Sequence, residues 1–229
     1  MLPPDVEGWL TEAQARRLRA AAENVPEGGA MVEIGSYQGR STIVLAGATN
    51  VIAIDPHAGN DRGPGQWDTS AREGQGDHEH FVANLERAGV RERVRHVRLP
   101  SQEALAELPG PFDAVYVDGA HRYSPALADI RAYGARVRPG GTLLIHDSFS
   151  SVGVTLAIVR QLMPSGQWTY VGRDGSLTEY RRAPAPRAKN ALRQLAQLPW
   201  FARNLAIKVA LTLRVRPVAR ALGSEEWPY

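Results

Sequence analysis

The sequence of 229 residues contains no cysteine, which excludes disulfides, thiolate metal ligands and a cysteine nucleophile. It has no uncharged apolar run near the ~20 residues that span a bilayer. Its first residues also lack the basic and then apolar order of a signal peptide. We therefore expect a cytoplasmic protein whose single domain is long enough to bury a sizeable core.

Acidic residues are missing from one long segment, and the net charge of +3 hides this asymmetry. Residues 181–224 contain ten Lys and Arg but no Asp or Glu. The remainder keeps 17 of the 27 basic residues and all 24 acidic ones, which gives it a net charge of −7. An acidic body argues against a nucleic-acid-binding core, because such a core presents a basic face.

Short apolar runs that end in polar residues alternate with helical patterns through most of the chain. Five of these runs have the character of buried strands: Met31–Ile34, Val51–Ile54, Val94–Leu99, Phe112–Asp118 and Thr142–Ile145. Two further runs joined through Arg173-Asp174-Gly175 read as a hairpin. The alternation predicts an α/β fold, a Rossmann-like, doubly wound and mostly parallel sheet with a C-terminal antiparallel hairpin.

A change of composition near residue 183 divides the chain into a body and a tail. The body, 1–183, begins with a predicted N-terminal helix within 1–28, and the tail, 184–229, is basic, partly apolar and helical. One interpretation of the tail is an accessory helix pair that covers the body or a second subunit of a homodimer. The other is peripheral contact with an anionic membrane at its inner face. On a helical wheel the basic residues of its second run do not segregate to one side: Arg203, Lys208, Arg214 and Arg216.

A long polar, glycine-rich segment follows the second predicted strand, from His57 to Asp77, and a helix is predicted only from about His78. A loop of this length within a compact domain is usually a functional lid or disordered. We predict that the loop 57–80 is a lid that recognises the substrate, with His57, Trp67 and His78 as its contacts. Trp67 would stack on a sugar face or a planar acceptor, or else anchor the loop to the body.

The stretch Met31–Ala46 joins a strand, a glycine turn and the start of a helix, an arrangement that holds polar cofactors against backbone. The turn has no lysine followed by Ser or Thr, so it is not a P-loop, and its glycine spacing falls short of the dinucleotide fingerprint. Asp55 lies twenty residues after Gly35. At this offset an acid reaches ribose hydroxyls bound at the turn.

Two acids, Asp118 and Asp147, follow the fourth and fifth predicted strands, with His121 and His146 beside them. Carboxylates brought close together either share a proton or bind a hard cation. Carboxylate-rich ligands without cysteine favour Mg²⁺ or Mn²⁺ over zinc. A zinc set of Asp118, His121 and His146 is the alternative.

Four stretches in combination carry a resemblance to a known family: VEIGSYQGRST, AIDP, VDGAHRYSPALADI and RPGGTLLIHD. Together they resemble the class I S-adenosylmethionine-dependent methyltransferases. The resemblance is strongest to the small, metal-dependent O-methyltransferases that act on sugar hydroxyls of macrolides and polysaccharides. It covers roughly residues 8–180.

The resemblance implies a role for each residue that matches a motif. The cofactor, S-adenosylmethionine, would be bound by Glu33, Gly35, Ser36, Tyr37, Asp55, Ser101, Gln102 and Asp118. Of these, the residues from the first strand and turn would line its methionine part, Asp55 would bind the ribose, and Ser101 with Gln102 would lie near the adenine. Asp118 and Asp147 would ligate the metal with a third ligand near position 146 or 148, and Ser148 stands where catechol-type relatives have an amide ligand.

These residues together predict an enzyme that transfers a methyl group from S-adenosylmethionine to a hydroxyl, with Mg²⁺ lowering the pKa of that hydroxyl. His146 first, or His121 second, would take the proton. Macrolide-sugar relatives have paired acids where this chain has His146-Asp147, so His146 is either a ligand or the base. The predicted acceptor is a saccharide or a glycosylated metabolite. The alternatives are a phenolic or polyketide acceptor and, in a different class, a non-catalytic cofactor-binding scaffold at a membrane.

Overall fold

The computed structural model describes residues 2–59, 71–224 and 226, which fold around one seven-stranded sheet. The strands are β1 (Ala30–Ile34), β2 (Asn50–Ile54), β3 (Val94–Val97), β4 (Phe112–Val117), β5 (Val137–Ile145), β6 (Thr169–Asp174) and β7 (Leu177–Arg181). They lie in the order β3-β2-β1-β4-β5-β7-β6. The first five pair in parallel, whereas β7 runs antiparallel to both β5 and β6. The predicted Rossmann-like sheet with a C-terminal hairpin is confirmed.

Helices cover both faces of this sheet. The described helices are α1 (Glu12–Glu23), α2 (Arg40–Ala46), α3 (Ala71–Arg87), α4 (Ser101–Glu107), α5 (Tyr123–Arg136), α6 (Val152–Gln161), α7 (Arg187–Leu195), α8 (Leu198–Thr212) and α9 (Arg216–Ala221), with a 3₁₀ turn at Arg91–Arg93. Successive residues of a strand point to opposite faces. Met31 accordingly packs in one core cluster with Leu18 of α1, and Val32 packs in a second cluster with Ile130 of α5. Burial on both faces explains why the sequence of β1 is a nearly continuous apolar run.

The strand order makes β1 the point at which the direction of winding reverses. From β1 the chain runs to β2 and β3 on one side, and then crosses back to β4 and β5 on the other. In open α/β sheets, ligands bind beyond the carboxyl ends of the strands at such a point. The segments that follow β1, β2, β4 and β5 therefore meet at one edge of the sheet.

Two predicted boundaries were wrong. Helix α3 begins at Ala71 rather than near His78, so it includes the second half of the predicted lid. A Cβ on Gly74 would lie 2.3 Å from the carbonyl oxygen of His57, so only glycine lets α3 pack this closely on the backbone after β2. Because glycine has a low helix propensity, the sequence did not predict a helix here. Strand β5 begins at Val137 rather than at Thr142, because Gly140 and Gly141 form backbone hydrogen bonds with Arg182, just after β7.

The tail helices pack against the hairpin and against the loop that follows β5. The side chain of Asn190 accepts a hydrogen bond from the backbone N–H of Tyr170 at 2.8 Å and donates one to the carbonyl of Trp168 at 2.9 Å. It thereby pairs the outer edge of β6 with a helix. On α8, the Asn204 amide donates to the carbonyl of Phe149 at 3.3 Å. In the described ranges, no helix combines the length and the apolar character that crossing a bilayer requires.

The contact of Asn190 with β6 predicts a measurable contribution of the tail to stability. Asn190→Ala should lower the free energy of unfolding by about 1–3 kcal/mol, because a buried N–H and a buried carbonyl lose their partners. Urea denaturation measures this. Lys189→Ala, at the neighbouring exposed position, is the control and should change the free energy by less than about 0.5 kcal/mol. Equal effects of the two substitutions would contradict the docking of α7 on β6.

Candidate active site

A cavity of about 500 Å³ opens at the carboxyl ends of β1, β2, β4 and β5. Its walls include most residues that the sequence singled out, namely Gly35, Ser36, Tyr37, Asp55, His57, Ser101, Gln102, Asp118, His121, His146 and Asp147. The volume lies in the range of small-molecule and cofactor sites. The residues of the predicted site thus come together around one space, with the glycine turn on one side and the acid–histidine group on the other.

The glycine turn after β1 is fixed by backbone geometry that few residues tolerate. Gly35 has a φ of 83°, and a Cβ there would lie 2.3 Å from the carbonyl oxygen of Asp118. Tyr37 has a φ of 44°, in the left-handed region that non-glycine residues seldom adopt. Such strain persists where the surroundings enforce it, and it clusters at binding sites. The hydroxyl of Ser36, buried in the cavity wall, has no hydrogen-bond partner among the described residues.

Asp55 holds this turn in place. One carboxylate oxygen accepts hydrogen bonds from the backbone N–H groups of Ser36 at 3.0 Å and Tyr37 at 2.9 Å, and the other accepts from His57 at 2.8 Å. Asp55 also lines the cavity. Its carboxylate therefore organises the turn as well as facing the space where a ligand would lie.

Glu33 does not line the cavity, contrary to the prediction. Its side chain is fully buried behind the turn and accepts hydrogen bonds of 2.5 Å from the hydroxyls of Ser41 and Thr42 at the start of α2. Burial raises the pKa of this carboxyl to about 8, and the two hydroxyls reverse only part of the rise. Glu33 is thus a support that ties β1 to α2, because its side chain points to the helix side of the strand.

At the opposite wall, Ser101 and Gln102 meet a residue that the sequence did not single out. The Ser101 hydroxyl and the Gln102 amide donate to the same carboxylate oxygen of Asp129, at 2.6 and 2.7 Å. Asp129 is buried on α5 and lines the cavity. Nothing in the sequence around Asp129 distinguishes it from an ordinary acidic residue of an amphipathic helix. Only the packing of α5 against α4 shows that Asp129 belongs to the cavity wall.

The second half of the site consists of two acids and a histidine. Ligand atoms of Asp118, His121 and Asp147 all lie within 4.8 Å of one another. The Nε2 atom of His121 lies 2.7 Å from Asp147 Oδ2, and the buried hydroxyl of Tyr116 donates to Asp118 Oδ2 at 2.7 Å. Asp147 has a φ of 54°, a strained conformation that turns the chain directly after β5.

His146 lies against both carboxylates. Its Nδ1 is 3.2 Å from Asp118 Oδ1 and 3.4 Å from Asp147 Oδ2, and its buried Nε2 has no partner in the described part of the chain. Burial opposes protonation of the ring, but the two acids outweigh it and raise the pKa of His146 to about 10. Burial likewise favours a neutral Asp147, but the neighbouring histidines outweigh it and hold the pKa of Asp147 well below its ordinary value.

Ser148 does not join this group, and its assignment as a metal ligand is corrected. Its fully buried hydroxyl donates to the carbonyl of Ile145 at 2.9 Å and lies 2.7 Å from the hydroxyl of Thr178. The turn at Asp147 directs the next side chain towards β7 and away from the cavity. The third ligand atom that lies beside those of Asp118 and Asp147 comes instead from His121, in the loop after β4.

The predicted lid contacts divide into three cases. His57 lines the cavity, and its Nε2 donates to the carbonyl of Tyr37 at 2.7 Å. His78 does not line it; its ring stacks on His96, with centroids 5.2 Å apart. Burial and then the neighbouring histidine rings lower the pKa of His96 to about 4, so His96 is neutral at pH 7. Trp67 lies outside the described residues.

The N-terminal segment, through residues 7–10, closes one side of the cavity. Trp9 lines the cavity, and its ring lies 5.8 Å from the ring of Tyr37 at an interplanar angle of 31°. Arg40, at the start of α2, donates to the carbonyl of Val6 and so attaches this segment to the cofactor side of the sheet. The wall is therefore built from sequence-distant parts of the chain.

A methyltransferase-domain family matches residues 32–148, more than half of the chain, from β1 to the end of the acid–histidine segment. The chain belongs to this family. The matched range begins within the strand that leads into the glycine turn and ends just after Asp147. The resemblance to class I S-adenosylmethionine-dependent methyltransferases is confirmed.

Solved structures of methyltransferases share the fold. TomG, an O-methyltransferase from Streptomyces achromogenes involved in tomaymycin synthesis and solved with S-adenosylmethionine, is 20% identical, with a TM-score of 0.55 over 79% of this chain and 83% of TomG. CalS11, a TDP-rhamnose 3′-O-methyltransferase of calicheamicin biosynthesis, is 18% identical, with a TM-score of 0.51 over 75% and 81%. Cofactor-bound Rv0187 from MTB is 23% identical, with a TM-score of 0.55 over 80% and 84%. At these identities the likeness shows the fold.

The raised pKa of Glu33 predicts a pH-dependent stability. The folded protein binds a proton at Glu33 that the unfolded chain releases above its ordinary pKa of about 4.5, so this stabilisation is lost as the pH rises through about 8. Between these two values the wild type should lose about 3–5 kcal/mol relative to Glu33→Gln, measured by urea unfolding at a series of pH values. Parallel pH profiles of the two proteins would show that Glu33 is not a neutral, buried carboxylic acid.

The close approach at Gly35 predicts a defect in cofactor binding. Gly35→Ala places a methyl group against the Asp118 carbonyl at a positive φ, and should weaken S-adenosylhomocysteine binding at least about tenfold in calorimetry.

Gly76→Ala is the matched control for this substitution. A Cβ at Gly76 meets no atom within 4 Å, so cofactor affinity should not change, and α3 should gain up to about 1 kcal/mol. If Gly35→Ala bound the cofactor as tightly as Gly76→Ala, the turn would not be the cofactor cradle.

Proposed function

We propose that the protein transfers a methyl group from S-adenosylmethionine to a hydroxyl of a saccharide or glycosylated metabolite, with Mg²⁺ or Mn²⁺ bound beside the cofactor. The observation that carries the proposal is the cluster of Asp118, His121 and Asp147 ligand atoms within 4.8 Å, at the wall of the cavity that the glycine turn also lines. A cofactor site and a cation site that share one cavity suit a reaction between a bound methyl donor and an activated oxygen.

The residues around the turn fit S-adenosylmethionine. Gly35 leaves no room for a side chain at the crossing with β4, and the Ser36 hydroxyl is a buried polar group available to a ligand. Asp55 lines the cavity and is assigned to the cofactor ribose, while Ser101 and Gln102, which begin α4 and also line the cavity, are assigned to the adenine. The bound cofactor supplies the methyl group as a sulfonium, and the chain's task is to hold that group in line with the acceptor oxygen.

The acid–histidine group fits a hard divalent cation. Two carboxylates and one imidazole form an oxygen-rich set, which favours Mg²⁺ or Mn²⁺ over zinc. When bound, the cation would orient the acceptor hydroxyl and lower its pKa. Tyr116 restricts the Asp118 carboxylate through its buried hydroxyl, as supporting groups do for metal ligands elsewhere.

His146 is the residue that we assign to remove the acceptor proton. Its ring lines the cavity beside both carboxylates, and its Nε2 is unengaged in the described structure. Asp118 and Asp147 raise the pKa of this ring, and a divalent cation held by the same carboxylates would lower it, because like charges repel. His121, with its Nε2 on Asp147, is then a ligand rather than the base.

The saccharide assignment has two supports. The cavity wall pairs an aromatic face, that of Trp9, with carboxylates and histidines, and a sugar presents C–H faces and hydroxyls that suit both. CalS11, which shares the fold, is a TDP-rhamnose 3′-O-methyltransferase. A phenolic or polyketide acceptor is the second candidate.

The proposal is tested by S-adenosylhomocysteine release on a panel of sugar nucleotides, glycosides and catechols, with and without EDTA. Turnover of a sugar that EDTA stops and Mg²⁺ restores is expected. Turnover unaffected by the chelator would overturn the metal role, and turnover of catechols but of no sugar would overturn the saccharide assignment.

Asp118→Ala should reduce turnover at least about a hundredfold, because the metal set loses a ligand. Calorimetry should still detect cofactor binding. The matched control is Asp113→Ala, at the opposite end of β4 and paired with Arg138 at the surface, which should keep near wild-type turnover. Full turnover of Asp118→Ala would show that this acid has no part in the reaction.

A further inference from the structure

We propose that the protein docks on anionic lipid bilayers through one face of its tail. The docking surface comprises the α8 outer face, which is Pro199, Ala202, Leu205, Ala206, Val209 and Thr212, and the segment 213–220 that follows it. This inference is independent of the chemistry in the cavity. It rests on which tail residues are exposed and on the sign of their charge.

The α8 outer face contains every residue of α8 that is exposed, and none of them is charged. Leu205 and Val209 are 40% and 49% exposed, and Leu213, which caps the helix, is 67% exposed. A surface helix normally presents charged side chains to water and buries its apolar stripe. Here the helix is apolar on the outside as well, while its inner face packs through Asn204 and Ile207.

The two charged residues of α8 border this face and do not interrupt it. Lys208 lies at one border and donates to the carbonyl of Ser150 at 2.9 Å, and Arg203 lies at the other, within 3.3 Å of the Asn204 side chain. The helical wheel drawn from sequence mixed these residues with Arg214 and Arg216. The helix ends before them, because Arg214 has a φ of 58° and breaks it.

The segment 213–220 supplies the charge. Leu213, Val215 and Val218 are exposed and alternate with the exposed Arg214, Arg216 and Arg220. Interfacial segments of soluble proteins bind membranes by placing apolar side chains at the acyl boundary while basic side chains contact anionic headgroups. Each basic residue near an anionic surface contributes attraction that falls off within a Debye length.

Charge selects a lipid surface over a second copy of the chain. Residues 181–224 contain ten basic and no acidic residues, so a symmetric dimer through this face would bring two basic segments together without a counter-charge. The rest of the chain has a net charge of −7, which keeps it away from anionic lipid and orients the protein tail-first. Both effects favour an anionic bilayer as the occupant.

The test is sedimentation of the full chain with vesicles of phosphatidylcholine, with and without phosphatidylglycerol. The wild type should bind only the anionic vesicles, and more weakly as salt is raised. Arg214→Gln and Arg216→Gln should each lower the partition coefficient about fivefold. Val209→Gln should lower it about tenfold, because a polar side chain no longer enters the acyl boundary.

Matched controls distinguish binding through the docking surface from nonspecific binding through other exposed residues. Val152→Gln, at a valine of α6 that is 48% exposed, and Arg131→Gln, at an exposed arginine of α5, should change binding less than twofold. The proposal is overturned if the wild type ignores anionic vesicles, if Val209→Gln binds them as well as wild type, or if light scattering shows a dimer that Val209→Gln dissociates without any vesicle binding.

Discussion

The close contact between Gly35 and the backbone of Asp118 is the constraint on which the site depends. It joins the end of β1 to the end of β4 at the point where the sheet reverses its winding, and it leaves no space for a side chain. The glycine turn and Asp118 are therefore two sides of one backbone crossing. A shift of either strand would separate the proposed cofactor site from the proposed cation site.

Electrostatics explains why the charged residues around this crossing tolerate their burial. Glu33 is fully buried, and its pKa of about 8 keeps it mainly neutral at pH 7. Asp147 lies between two histidines, which hold it in the charged form despite burial. A buried charge persists in a protein when it is paired. The carboxylates of Asp118 and Asp147, which His146 partners, could also bind a divalent cation. The same two carboxylates therefore account for the charge pairing in the site and for its proposed chemistry.

Features that depend on local sequence pattern or on the ends of strands could be predicted from the sequence. Features that are determined by packing between distant segments could not. The sheet followed from alternating apolar runs, and the positions of Asp118 and Asp147 followed from parallel topology. The direction of a side chain did not: Glu33 points to α2 and Ser148 points to β7. Asp129 reaches the cavity only because α5 packs on α4, which no spacing in the sequence encodes. The exposed face of the tail could not be predicted from sequence either, because the end of α8 before Arg214 determines which basic residues lie on the same face.

We propose that one cavity holds both a cofactor and a divalent cation, and a titration with Mn²⁺ monitored by electron paramagnetic resonance distinguishes this site from a cofactor site alone. With S-adenosylhomocysteine present, the wild type should bind one Mn²⁺ per chain, and Asp147→Asn should lose it while calorimetry still detects the cofactor. Mn²⁺ binding by Asp147→Asn equal to that of the wild type, or a wild type that binds the cofactor but no Mn²⁺, would rule out the shared site.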